Sequence, residues 1–151
     1  MREILFRAKR IDNGKGNWVF GNLRVDKYNP EHDPHGCPSR VETSIYVNDA
    51  NKPWSGYIAD VNPATVGQYT GLTDKNGTKI FEGDIVKITD DNDNTDFSDG
   101  GIGNVEFICG LWYVSGKPQN GLWDLMQGYY CEVIGNIHDN PELLEGTNVK
   151  G

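Results

Sequence analysis

Leucine and methionine are scarce in this chain, long apolar runs are missing, and no stretch carries a sustained helical period. Hydrophobic residues make up only 36% of it, so a large leucine-packed helical core is excluded. No apolar run is long enough for a signal peptide or a membrane span. The chain therefore reads as soluble and cytoplasmic, with no membrane partner. Cysteine is confined to Cys37, Cys109 and Cys131. An odd number without CxxC spacing argues against a disulfide framework. A G-x-S-x-G nucleophile turn is absent, and the histidines, His32, His35 and His138, lie away from any serine or cysteine with motif character. Gly100-Gly-Ile-Gly103 leads into a strand pattern instead of a helix, which removes the phosphate-cradle reading. No catalytic centre and no cofactor are expected.

What is present is backbone punctuation. Nineteen glycines and seven prolines, with sixteen aromatics, fit many short strands joined by tight turns. A chain of 151 residues buries roughly 68–70% of its unfolded surface, enough for one domain or one domain with an extension. The net charge is −8. Between Glu82 and Glu106 eight acids stand against the single base Lys87, so that one region holds most of the imbalance. An acidic chain repels phosphate, which disfavours nucleic acid as a partner. Arg2, Arg7, Lys9 and Arg10 give the N-terminus the opposite sign, and they read as one solvated strand face.

Period-two alternation predicts a mainly β fold with little helix. Residues 3–9 and 18–25, around the turn Asn13-Gly14-Lys15-Gly16, read as a hairpin. Residues 26–39 read as a loop, 41–47 as a strand, 48–55 as a second loop and 56–61 as a short strand. Asn62-Pro63 opens a brief helical turn, with the asparagine as cap and the proline at the first helical position. Val66–Ile88 carries four glycines and the turn Asp74-Lys75-Asn76-Gly77. Strands then follow at 84–89, 103–108, 111–114 and 131–137, with Cys109-Gly110 as a two-residue hairpin turn, and residues 140–144 form one capped helical turn. This order predicts a small SH3-like barrel over residues 66–140, a β-rich extension over 1–65, and a short tail over 141–151.

Three segments, MREILFRAKRIDNGKGNWVFGNL, VNPATVGQYTGLTDKNGTKIFEGDIVKI and EVIGNIHDNPELL, occur in that order and together resemble the YopX family of phage and prophage proteins. The resemblance covers both ends and the middle, leaving mainly residues 26–56 and 90–130 outside it. It implies a mostly β fold, origin in a phage or prophage of a Gram-positive-type host, and self-association. It implies no activity and brings no catalytic residues. Acids that the family pattern often carries near Asn62 and Ala64 are absent here, which weakens any site built on them.

The residues that carry chemistry by type fall short in pattern. His32, His35 and Cys37 supply zinc-preferring donors within six residues, but a structural site needs four ligands and no second element supplies them. Asp90–Asp96 is similar to a calcium loop. An EF-hand needs glycine at its sixth position and glutamate at its twelfth. Counting from Asp91 those positions hold Asp96 and Ile102, and from Asp93 they hold Ser98 and Asn104. Cys131 alternates with Val133, the pattern of a buried and inert thiol.

The aromatics exceed what a small core takes in. In Leu111-Trp112-Tyr113-Val114 successive side chains point to opposite faces, so Trp112 and Tyr113 cannot both point inward. Trp112, Tyr113, Trp123 and Tyr129, with Asp91 and Asp93 of the acidic loop, are the candidates for partner binding. The function expected is a non-enzymatic accessory protein that self-associates and binds a host or phage protein. Single-stranded nucleic-acid binding on stacking aromatics, and a metal-dependent enzyme using His32, His35 and Cys37, are the competing readings.

Overall fold

Phe6-Arg7-Ala8-Lys9 alternates apolar side chains with cations and forms the strand β1 (Phe6–Lys9), with both Arg7 and Ala8 buried. It pairs antiparallel with β2 (Trp18–Tyr28), from Phe6↔Gly21 to Lys9↔Trp18. The computed structural model describes residues 2–28, 31, 40–49, 51–88, 101–116, 120–121 and 131–145. These fall into two compact units, Glu3–Gln68 and Tyr69–Gly151, with Arg2 grouped with the latter.

In the first unit β2 continues into a ladder with β3 (Arg40–Asp49), from Asn22↔Tyr46 to Tyr28↔Arg40. The change of neighbour falls at Gly21, where a Cβ would stand 2.0 Å from the Tyr46 carbonyl oxygen. Only glycine permits that approach. β3 in turn pairs with β4 (Lys52–Asp60). The expected loop at 48–55 is thus taken up largely by the ends of β3 and β4, which pair there at Asp49↔Lys52. A register shift between Val47 and Asp49 lets β4 run through Pro53, as a bulge does where a ladder donor is missing.

The four strands curl, so that the ends of β1 and β4 meet. Arg10 bridges Val61, Ile11 N–H donates to the Asp60 carbonyl and Asn62 N–H to the Lys9 carbonyl, each at 2.9 Å. The Asp12 carboxylate fastens this closure, accepting from Asp60 N–H at 3.0 Å and from Arg10 Nε at 2.6 Å. Inside lie Ala8, Val19, Ile45, Ala59 and Val61. Ala8 and Ala59 are fully buried; their small side chains suit the tight interior of so few strands. The 3-10 turn Pro63–Thr65 forms as expected, with Asn62 Oδ1 accepting from Ala64 N–H at 3.0 Å. Thr65 Oγ1 accepts from Lys9 N–H and ties this turn to β1.

β5 (Gly67–Thr73) pairs through Gly67 and Gln68 with β1 and through its later residues with β6 (Lys79–Phe81). The second unit adds β7 (Asp84–Ile88), β8 (Gly101–Ile108), β9 (Leu111–Ser115), β10 (Asn120–Gly121) and β11 (Cys131–Asn136). They form one antiparallel sheet in the order β10-β9-β8-β7-β11. A helical turn, Glu142–Glu145, packs on β8. The core is Ile80, Val86, Ile88, Val105, Val114 and Cys131, with Leu72, Trp112 and Val133 against it.

The fold is mainly β, as expected. Closure into an SH3-like barrel is not: among the described residues the ladder ends at β10 and β11. The outer edge of β11 is occupied by side chain and turn instead of a strand. Asp74 Oδ2 accepts from Val133 N–H at 2.9 Å, Lys75 N–H donates to the Cys131 carbonyl at 3.0 Å, and Asn140 N–H donates to the Asn136 carbonyl at 2.8 Å. The other oxygen of the buried Asp74 accepts from Asn76 and Thr78 N–H, both at 2.9 Å. The conspicuous Asp-Lys-Asn-Gly turn is thus an edge cover.

Candidate functional site

β8 and β9 pair from Asn104↔Ser115 to Ile108↔Leu111, leaving Cys109 and Gly110 as the whole connection. Their φ angles are +51° and +83°. Positive φ at both central residues defines a type I′ turn, whose twist matches that of its strands. Such a turn holds the hairpin tip rigid to its last pair.

Alternation sorts the tip into two faces. On the core side Val105 and Val114 are buried, and Phe107 sits opposite Trp112, ring centroids 4.8 Å apart. Trp112 packs against the core, while Phe107, one step past the end of it, is 55% exposed. On the opposite side Ile108 faces Leu111, which is 58% exposed. Behind them Glu106 pairs with Tyr113, and its carboxylate accepts a hydrogen bond from the Ser115 hydroxyl. The tip therefore presents apolar side chains on both faces of one narrow ribbon. Large exposed apolar groups scattered singly need no explanation, whereas a contiguous set marks an interaction site.

Two of the expected partner-binding residues, Trp112 and Tyr113, belong to this hairpin, on opposite faces as their alternation requires. Trp123, Tyr129, Asp91 and Asp93 lie outside the described residues, as do His32, His35 and Cys37. Phe107 and Leu111, the most exposed members of the tip, escaped sequence reasoning. The signal was there: Phe-Ile-Cys-Gly-Leu-Trp puts apolar residues at every position around a two-residue turn.

Among the described residues no group of three or more His, Cys, Asp or Glu side chains is placed to hold a metal ion. Cys131 is buried, and burial, with Asp74 and Asp84 adding their negative charge, pushes its thiol up to about 12. The Arg10 guanidinium holds the Asp12 carboxyl below the usual carboxylate range, consistent with a structural clasp. The N-terminal cations are not one solvated face as expected. Arg7 is only 8% exposed, its guanidinium 4.7 Å and the Lys9 ammonium 5.6 Å from the Trp18 ring centre. A shallow recess in the first unit is lined by Ile11, Val41, Thr43, Val61 and Pro63, with Glu42 and Asp60. No helix of the described residues is long and apolar enough to cross a membrane.

Residues 6–145 match the family model described as YopX protein. The chain belongs to the YopX family. Among solved structures it is similar to the crystal structure of protein EF1440 from Enterococcus faecalis, at 22% identity over 95% of this chain and 99% of that one, with a TM-score of 0.53. That likeness concerns the fold alone. No curated protein matches the sequence. Within the matched range Asn62-Pro63, Asp74–Gly77 and Asn136–Asn140 all serve turns and strand edges.

Proposed function

We propose that this YopX family member is a non-enzymatic accessory protein of a phage or prophage that works in the host cytoplasm by binding a protein partner. The observation that supports it is the β8–β9 tip, where Phe107 and Leu111 stand more than half exposed on opposite faces of a rigid hairpin. Side chains of this size, held in place before binding, anchor interfaces at low entropic cost. Self-association is the second part of the reading. It is supported by Ile11, Val25 and Val41, all about half exposed or more on the first unit, and not by the edge of β11, which is covered.

Light scattering at high micromolar concentration tests self-association: a dimer or larger species is expected, and a clean monomer would refute it. Partner capture from a host lysate is to be compared between the wild type and Leu111→Ser. The variant is expected to lose the partner while keeping its thermal transition; retention of the same partner would remove the tip from the reading.

A second reading, single-stranded nucleic-acid binding, draws on Trp18 with Arg7 and Lys9 beside it and Phe20 46% exposed. Stacking rings among cations suit exposed bases, but the acidic chain opposes capture. Micromolar anisotropy with oligo-dT at low salt would promote it.

A further inference from the structure

Resting on the hairpin tip as a docking element, we propose that its partner is a basic protein, presenting an apolar slot rimmed by lysine and arginine side chains. The shape follows from the two-sided distribution of Phe107 and Leu111. A flat surface would cover one face of the ribbon and leave the other in water. Only a slot encloses the Phe107–Trp112 face and the Ile108–Leu111 face together.

The rim follows from charge. From Gly101 to Gly116 there is no lysine or arginine, and the one charged residue, Glu106, sits directly behind the tip on the Leu111 face. The helical turn packed on β8 adds Glu142 and Glu145, both exposed. Across residues 69–151 fourteen acids stand against five bases, whereas residues 1–68 hold eight against nine. A tip carried on so acidic a body is steered toward positive potential and turned from negative. An anionic bilayer is repelled, and the hairpin has no cation with which to engage lipid headgroups. A second copy of the chain is a poor acceptor for the same reason: its recess at Ile11, Val41 and Val61 is flanked by Glu42 and Asp60, like charges to Glu106.

The experiment selects binders from a randomised library of cyclic peptides displayed against the full chain, at low and at physiological salt. Each enriched peptide is then measured against Phe107→Ser and Leu111→Ser, substitutions at exposed positions whose folding is checked by thermal unfolding. Enriched sequences are expected to combine Lys or Arg with Leu, Ile or Phe. They should lose about tenfold or more in affinity on either substitution, the size of loss typical of an interface anchor, and weaken as salt rises. Tip-dependent peptides without an excess of basic residues would overturn the basic rim and leave the docking element standing. Peptides indifferent to both substitutions would overturn the docking element itself. A parallel flotation assay uses phosphatidylcholine vesicles; tip-dependent binding there would replace the protein partner with a lipid surface.

Discussion

Cys109 holds φ at +51° without being glycine, a conformation that costs an ordinary side chain roughly 1–2 kcal/mol. Asparagine tolerates it and is the preferred residue before glycine in a type I′ turn. Cys109→Asn is therefore expected to stabilise the protein by about 0.5–1 kcal/mol, read as a higher urea midpoint with an unchanged slope. Cys131 makes the opposite kind of statement. Its folded thiol titrates at about 12 against an ordinary value of 9.0, so the folded state favours the protonated form. That contribution is complete below about pH 9 and is lost as the pH climbs through 12, because the unfolded thiol ionises first. The denaturation midpoint should fall across that window, and Cys131→Ala should flatten the fall. Iodoacetamide labelling followed by peptide mapping should mark the exposed Cys109 and spare Cys131 in the native protein.

Among the elements, the Asp74–Gly77 turn is the clearest case of local sequence acting at long range. Three backbone N–H groups, from Asn76, Thr78 and Val133, converge on one carboxylate. Asp74→Ala orphans all three, and a loss of about 3 kcal/mol or more is expected from the usual worth of hydrogen bonds to a charged group. Asp74→Asn keeps an oxygen for the Asn76 and Thr78 N–H groups and should cost distinctly less; equal losses would mean that those two bonds within the turn are immaterial and that the bond to Val133 of β11 carries the effect. Much of this layer was legible in advance. The Asn62-Pro63 turn, the Cys109-Gly110 turn and the hairpin at 3–25 follow from residues whose backbone preferences leave few alternatives. The passage of β4 through Pro53 was not legible, because a bulge depends on the strand opposite. Nor was it legible that, among the described residues, the second sheet ends at β10 and β11 without closing: alternation in residues 131–136 reports a strand but not which groups meet its outer edge.

For the whole molecule, the candidate site illustrates the same boundary. Sequence placed Trp112 and Tyr113 on opposite faces, since that follows from the pleat alone. It passed over Phe107 and Leu111, because exposure depends on where the core ends, and the core ends at Val105 and Val114. Charge was legible in amount; its division, with residues 69–151 carrying the whole surplus of acids, took on meaning once those residues proved to form a unit of their own.

The cover over β11 also fixes an order of assembly. Residues 74–78 close through contacts four positions apart or fewer, whereas β11 joins β7 across more than forty intervening residues. The turn can thus stand ready, acceptors already aimed, before the last strand leaves the ribosome. Gly77→Ala, at φ +82°, should then slow refolding, and Val133→Ala should chiefly hasten unfolding, two effects that stopped-flow chevrons separate. The reverse pattern would make β11 the seed on which the turn condenses.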